Sequence, residues 1–189
     1  MTQGGVSSVS VLVGIFRIAR GRADGVGCFG ASSRSFLSSL APLVALPLVG
    51  AAFGLIQDGF RPALTGLAMT VCALLTPAVV SYELARFWKR TDAWTRFATA
   101  FNWCEWILPV AACLLMVPLS VAIGAGLSES AASLVLLGCL GLYGIWLHWF
   151  LARKALGLSG LRAVALVFLV NLATAVVIMA PRLLVNEPG

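Results

Sequence analysis

Glu105 and Asn102 are the polar residues with the greatest potential for chemistry, since both lie beside a long apolar stretch. A spacing of three residues places both side chains on one face of a helix. An ionisable group inside a membrane is costly, so a carboxylate there is functional by default. Thr76 and Asn171 fall at comparable depths in other apolar stretches, and His148 lies closer to a charged turn. We therefore predict one polar pocket built from these five residues.

The depth of Glu105 has two interpretations. If the third apolar helix begins near Phe97, Glu105 lies about 12 Å along it, at ~1.5 Å per residue. The charge-free stretch from Ile107 to Leu127 is also long enough to cross a bilayer alone. Residues 92–106 would then follow the interface, where a carboxylate costs little or makes only a structural hydrogen bond. The sequence leaves both interpretations open.

Other reactive side chains are sparse. The single histidine excludes haem held between two histidines of this chain alone. The cysteines contain no Cys-x-x-Cys pair and no zinc spacing, which is typical of small hydrophobic residues rather than redox or metal sites. We predict no catalytic residue, no cofactor and no metal site. The cysteines are Cys28, Cys72, Cys104, Cys113 and Cys139.

The composition shows what surrounds these residues. The chain has 189 residues, of which 60% are apolar and 11% are charged, and its mean hydropathy is +0.99. A soluble domain carries about 25% charged residues. A chain of this size has too little interior to hide so much apolar surface from water. Lipid must therefore be its solvent.

Five apolar stretches have the length of a membrane-spanning helix, which is about 20 residues. They are continuous and lack the alternation of membrane strands, so helices are expected rather than a barrel. We predict an all-α, polytopic transmembrane helix bundle in residues 35–184, between a cytoplasmic segment (1–34) and a short tail (185–189). The predicted spans are about 36–56, 62–82, 98–127, 131–151 and 161–182.

The basic residues predict the orientation of the bundle. Eleven of the thirteen fall in segments that lie on one side of a five-span topology, and only Arg61 and Arg182 fall on the other. The positive-inside rule then places the N-terminus in the cytoplasm and the C-terminus outside. Because the basic residues flank spans, the net charge of +6 indicates contact with lipid headgroups and no nucleic-acid partner. The eleven are Arg17, Arg20, Arg22, Arg34, Arg86, Lys89, Arg90, Arg96, Arg153, Lys154 and Arg162.

The N-terminal segment is predicted to lie on the membrane surface. Residues 9–20 form an amphipathic pattern typical of an interfacial helix, with Arg17 and Arg20 towards the headgroups. Residues 23–33 are rich in Gly and Ser and indicate a connector without structural demands. The helix residues expected to face lipid are Leu12, Ile15, Phe16 and Ala19.

Glycines are spaced along two of the predicted spans. Gly50 and Gly54 form a Gly-x-x-x-Gly pair, while Gly138, Gly141 and Gly144 recur at every third residue. Small residues let membrane helices approach closely. We predict that these glycines pack helices within the protein, with a homodimer seam as the alternative.

Two short segments carry a resemblance to a known family. They are Arg-Phe-Ala-Thr-Ala-Phe-Asn-Trp at 96–103 and Trp-Phe-Leu-Ala-Arg-Lys-Ala-Leu-Gly-Leu-Ser-Gly at 149–160, each preceding an apolar span. With the basic amphipathic start, the chain resembles bacterial relatives of the Yip family (Ypt-interacting proteins), a group of small inner-membrane proteins. The resemblance implies five packed helices and supplies no catalytic residues.

These observations predict a non-enzymatic integral membrane protein of the bacterial cytoplasmic membrane, acting as a scaffold or an accessory subunit of a larger assembly. The expected partners are the lipid bilayer and a membrane protein or a second copy. The first alternative is a small transporter or proton-coupled permeation unit that uses Glu105 and Asn171. The weaker alternative is a lipid head-group enzyme with Glu105 and His148 as acid and base.

Overall fold

The computed structural model describes residues 8–57 and 59–185, with side chains described as far as Ala180. The described residues form helices joined by short turns. A 3₁₀ helix, Ala23–Cys28, follows the first α-helix. The α-helices are α1 (Ser8–Ala19), α2 (Ser33–Gln57), α3 (Phe60–Phe87), α4 (Thr91–Cys104), α5 (Ile107–Gly124), α6 (Glu129–Ala155) and α7 (Gly160–Val185).

Five helical segments are long and apolar enough to cross a membrane, as predicted for a multi-pass helical membrane protein. They are α2, α3, the combined segment Thr91–Gly124, α6 and α7 as far as Ala180. The predicted spans 36–56, 62–82, 131–151 and 161–182 lie inside α2, α3, α6 and α7. The predicted span 98–127 instead covers two helices, and it extends beyond the end of α5. The predicted tail, apart from Val185, lies outside the described residues.

The break between α4 and α5 follows from a proline. Pro109 has no amide hydrogen, so the carbonyl of Glu105, four residues earlier, lacks its usual helical donor. That carbonyl accepts from the amide of Leu108 instead, at 3.3 Å. The backbone of Glu105 and Trp106 keeps helical angles through this turn. The axes of α4 and α5 therefore follow one another along a single segment, although the two helices pack against different neighbours.

The long helices are neighbours in the order α5, α6, α7, α3 and α2, so they form a row rather than a closed bundle. The helix α4 contacts α2, α3 and α6 and thereby joins distant members of the row at one end. Trp94 of α4 makes this junction specific. Its ring lies 5.3 Å from Phe36 of α2 and 5.0 Å from Tyr82 of α3, and its Nε1 donates to Ser81 Oγ at 3.1 Å.

We call this end of the molecule the base. It comprises α1, the 3₁₀ helix, α4, the first two turns of α2, the last turns of α3 and α6, and the first turns of α7. The hydrophobic core lies here and draws on each of these elements. Its larger fully buried side chains are Ile18, Phe97, Leu147, Leu151, Leu156 and Leu166.

We call the remainder of α2, α3, α5, α6 and α7 the apolar layer. In the most apolar 18-residue stretch of α2, of α3 and of the α4–α5 segment, 6% of the residues are buried, and in α6 and α7 the figure is 22%. Large apolar side chains on these helices are exposed, including Phe53, Leu114, Val121 and Leu137. Helices that are apolar on all sides and unburied are suited to lipid or to other helices, and not to water.

The stretch 23–33 was predicted from its composition to be a connector without structural constraints, and this prediction is wrong. Its first part forms the 3₁₀ helix and packs closely on α1. A Cβ on Gly25 would lie 2.9 Å from the Gly14 carbonyl, and one on Gly14 would lie 2.8 Å from Cys28 Cβ. Val26 and Phe29 are buried in the core. Close approach of the two segments explains why glycine stands at both positions.

The glycines predicted to pack helices differ in their surroundings. Gly144 is buried, and a Cβ there would lie 3.6 Å from the side chain of Leu108 on α5. At Gly50, Gly138 and Gly141 an added Cβ would meet nothing within 4 Å. These three glycines therefore do not mediate close helix packing within the described chain. Gly54 is half-buried.

Candidate functional site

The proline-induced turn between α4 and α5 places the carboxylate of Glu105 against α6. Its Oε1 lies 2.9 Å from Nε2 of His148, a hydrogen-bond distance. The side chains are 31% and 17% exposed, respectively, so the pair is largely but not fully shielded from solvent. The ring of Phe101 lies 4.6 Å from the imidazole and covers one of its faces. The pair occupies the boundary between the base and the apolar layer.

Trp106 places a second polar group in the same turn. Its indole Nε1 is buried and has no hydrogen-bond partner among the described residues. A buried indole N–H is normally paired, because desolvating it without a partner is unfavourable. The turn thus carries a carboxylate within hydrogen-bond distance of His148 and, at the next position, an indole donor without a partner among the described residues.

Asn102 does not share the environment of Glu105, although three residues separate them. Its Nδ2 donates to Ser39 Oγ of α2 at 3.0 Å, and that hydroxyl in turn donates to the Phe36 carbonyl at 2.6 Å. Both Asn102 and Ser39 are buried. The prediction that Asn102 and Glu105 share one pocket is wrong because their side chains bond to different helices, Asn102 to α2 and Glu105 to α6. Asn102 instead attaches α4 to α2.

The other two predicted pocket residues bond within their own helices. Thr76 Oγ1 donates to the Cys72 carbonyl at 2.7 Å, and Asn171 Nδ2 donates to the Val167 carbonyl at 2.8 Å. Such local bonds satisfy a polar group in an apolar helix without a neighbour. Of the five predicted residues, hydrogen bonds join only Glu105 and His148 to each other. The single five-residue pocket is therefore corrected to a pair at the α4–α5 turn.

Sequence reasoning missed Ser39, Phe101 and Trp106 at this boundary. The pattern gave one usable signal, because Pro109 predicts that the Glu105 carbonyl loses its helical donor and that the regular helix is interrupted there. The partner of Asn102 lies 63 residues earlier in the chain. No local pattern identifies such a partner, since the contact depends on how α2 packs against α4.

Asn171 lines a groove between α6 and α7 of about 670 Å³. The groove is mainly apolar, with two indole rings, Trp146 and Trp149, on the α6 side. Trp149 Nε1 donates to the Gly160 carbonyl at 3.2 Å, which holds the start of α7 against α6. The remaining lining residues are Leu142, Ile145, Val164, Val167 and Phe168.

Cations surround the base on its exposed side. Asp24 bonds both Arg17, at 3.3 Å, and Arg22, at 3.0 Å. The Arg20 guanidinium lies 3.9 Å from the centre of the Phe16 ring. Two arginines therefore share one carboxylate, and the α1 region keeps an excess of positive charge.

The chemistry available to the Glu105–His148 pair is proton exchange. A carboxylate within hydrogen-bond distance of an imidazole can accept or return a proton. In the part of the chain that the structure describes, no group of three or more His, Cys, Asp or Glu residues is arranged to hold a metal ion.

The comparisons with known proteins add no family to this geometry. No family model matches the chain, and neither a curated protein nor a solved structure shows significant similarity to it.

Proposed function

We propose that the protein is a non-enzymatic scaffold or accessory subunit of a larger assembly in the bacterial cytoplasmic membrane, with its base in the cytoplasm. The observation that carries the proposal is the pair Gly138 and Gly141 on α6, where an added Cβ would meet nothing within 4 Å. Small residues at a helix surface allow another membrane helix to approach closely. This surface has no such neighbour within the described chain.

Helix lengths support a base that lies outside the hydrocarbon. α5 has 18 residues, which extend about 27 Å at ~1.5 Å per residue, close to the ~30 Å hydrocarbon thickness. A boundary at the start of α5 also passes near His148, because His148 contacts Glu105 in the turn just before α5. The core and most basic residues then lie on one side of that boundary, as the positive-inside rule requires. This boundary places Glu105 at the interface.

The outer face of α5 supports docking as well. Val110, Leu114, Val117 and Val121 follow one another at steps of four, three and four residues, so they form one stripe. All four side chains are exposed, and α5 packs mainly against α6. A partner helix could cover the stripe and the neighbouring surface of α6 together.

Replacing Gly138 and Gly141 together by Leu tests the proposal. The added side chains prevent close approach, so a stoichiometric complex isolated in mild detergent should dissociate to the single chain in native mass spectra. Gly66→Leu is the matched control, because Gly66 is an exposed glycine of α3 that also has open space around it. A complex that survives the double substitution, or a wild type that is always monomeric, contradicts the proposal.

A second candidate function is proton-coupled permeation, favoured by the 2.9 Å contact between Glu105 and His148. Asn171, which the sequence had assigned to the same permeation site, is left out of this candidate, because its side-chain amide bonds a carbonyl of its own helix. Reconstituted vesicles with an internal pH dye should lose proton flux in Glu105→Gln. Glu83→Gln is the control, since Glu83 is an exposed acid whose carboxylate lies 3.7 Å from nearby Arg86. Flux that persists unchanged in Glu105→Gln excludes this candidate.

The same pair could serve a lipid head-group enzyme as its acid and base. Turnover of headgroups that disappears in His148→Gln would favour that weaker alternative over both others. The resemblance to the Yip family is compatible with a non-enzymatic five-helix protein and stays a prediction.

A further inference from the structure

The groove between α6 and α7 is apolar along its length and ends at a cation. Leu142, Trp146 and Trp149 line it at steps of four and three residues. Arg153 follows Trp149 by four residues and so continues the same helix face. Its guanidinium carbon lies 5.3 Å from the centre of the Trp149 ring. One face of α6 therefore changes from apolar, through indole rings, to positively charged.

The facing side of the groove is formed by α7. Val164, Phe168 and Asn171 line it at steps of four and three residues, and Val164 lies near the start of α7, at the base. The side chains of Val164 and Phe168 are exposed. The α7 wall is thus apolar near the base, and its one polar side chain, Asn171, bonds its own helix.

The groove crosses the proposed hydrocarbon boundary near His148. Arg153 follows His148 by five residues, which is about 7 Å at ~1.5 Å per residue. The polar headgroup region on each side of a bilayer is about 5–7 Å thick. An acyl chain that lay in the groove would therefore have its polar end beside Arg153. Tryptophan is also enriched at the level of lipid headgroups.

Further positive charge approaches the groove from α1. Gly21 has a φ of +72°, and a Cβ added there would lie 3.4 Å from the Trp146 ring. The turn that contains Gly21 therefore lies against Trp146, between Arg20 and Arg22. Asp24 pairs with Arg22 and also with Arg17, so it does not neutralise the whole group. An anionic ligand would meet uncompensated charge at this edge.

We propose that the α6–α7 groove is a binding site for one anionic phospholipid, with an acyl chain between α6 and α7 and its phosphate beside Arg153. The ligand needs an apolar chain and a negatively charged head, because the groove offers an apolar lining that ends in cations. A transmembrane helix would cover the apolar lining and leave these cations without a counter-charge. The site adjoins the proposed assembly surface, because Gly138 precedes Leu142 by four residues on the same helix face, but lipid retention is measured separately from complex formation.

Native mass spectrometry of the intact protein tests the site. The protein is exchanged into detergent containing equal amounts of dioleoyl-phosphatidylglycerol and dioleoyl-phosphatidylethanolamine, whose acyl chains are identical. We expect one phosphatidylglycerol to be retained in preference. Arg153→Gln should lower that retention about fivefold, since one basic side chain near a membrane surface contributes on the order of one factor of five in affinity.

Two matched controls separate a site from general surface charge. Arg34→Gln removes one exposed charge from α2, which packs on α3 and α4, and should leave retention unchanged. Leu142→Trp fills the groove and should abolish retention, while Leu46→Trp makes the same change at an exposed position on α2 and should not. Helical circular dichroism confirms that each variant is folded.

Phosphatidylglycerol with brominated acyl chains gives a second measurement that needs no charge variant. Bromine near an indole quenches its fluorescence, and Trp149→Phe should remove a large part of the quenching. Equal retention of both lipids, equal losses in Arg153→Gln and Arg34→Gln, or quenching unaffected by Trp149→Phe would each overturn the proposal. Displacement of lipid by a polypeptide cross-linked at Leu142 would do so as well.

Discussion

The base and the apolar layer are built from the same long helices but differ in what holds them. In the base, α4 fills the space between α2, α3 and α6, and side chains from most elements share one core. In the apolar layer each helix has neighbours on two sides at most within the row, and its large side chains are exposed. This chain therefore supplies its own packing at one end, whereas the other end has few buried side chains.

Polar contacts follow the same division. The hydrogen bonds between side chains of different helices, Asn102 to Ser39, Trp94 to Ser81 and Glu105 to His148, all lie in or at the edge of the base. In the apolar layer Thr76 and Thr70 bond the carbonyls of their own helices. Specific polar contacts fix one arrangement of the base, whereas local bonds leave helix positions in the layer less constrained.

The largest expected difference concerns one phenylalanine in each region, buried in the base and exposed in the apolar layer. Phe97 in the base is 2% exposed, and Phe53 in the apolar layer is 62% exposed. Phe97→Ala should lower the free energy of unfolding by about 3–5 kcal/mol through lost contacts and a cavity. Phe53→Ala should change it by less than about 0.5 kcal/mol. Titration with sodium dodecyl sulfate in mixed micelles, followed by circular dichroism, measures both, and similar losses would contradict the division.

The packing of the 3₁₀ helix on α1 should be the next most sensitive feature. Gly25→Ala places a Cβ 2.9 Å from the Gly14 carbonyl, so we expect a loss of about 1–3 kcal/mol from overpacking. Gly27→Ala is the control, because its Cβ would meet nothing within 4 Å. Limited proteolysis near residue 20 should become faster in Gly25→Ala alone. If Gly27→Ala were equally destabilising, the close approach would not be the cause.

The bond between Asn102 and Ser39 should contribute a smaller amount. A double-mutant cycle with Asn102→Ala and Ser39→Ala should give a coupling energy of about 1 kcal/mol, which is typical of a buried hydrogen bond. Thr76→Ala should show no coupling to either residue, because Thr76 bonds its own helix. A coupling energy near zero between Asn102 and Ser39 would contradict the claim that this hydrogen bond attaches α4 to α2.

The smallest effect is expected in the apolar layer. Gly141→Ala should change the unfolding free energy of the isolated chain by less than about 0.5 kcal/mol, since its surroundings are open. Gly144→Ala is the informative comparison, because its Cβ would lie 3.6 Å from Leu108 and adds ordinary contact between α5 and α6. Marked destabilisation by Gly141→Ala in a monomeric preparation would show that α6 packs there after all.

Much of the candidate site could not have been predicted from the sequence. The unusual polar residues were identifiable, since Glu105 and His148 are rare types in apolar surroundings. Their pairing depends on α4 crossing to α6, and 43 residues separate them in the chain. Asn102 was assigned to the wrong neighbour because helical periodicity does not identify the distant segment that packs on a residue, which for Asn102 is α2.

The sequence by itself determined the solvent, the helical class and the five long apolar segments, because hydrocarbon thickness and the cost of unpaired backbone groups allow few alternatives. It also placed the basic residues where the base forms. Only the tertiary structure decided that α4 is part of a packed core, that residues 23–28 are a folded element, and that Gly138 and Gly141 face open space. These three features depend on contacts between segments that are distant in the sequence, and the local hydrophobic pattern does not specify which apolar faces pack together.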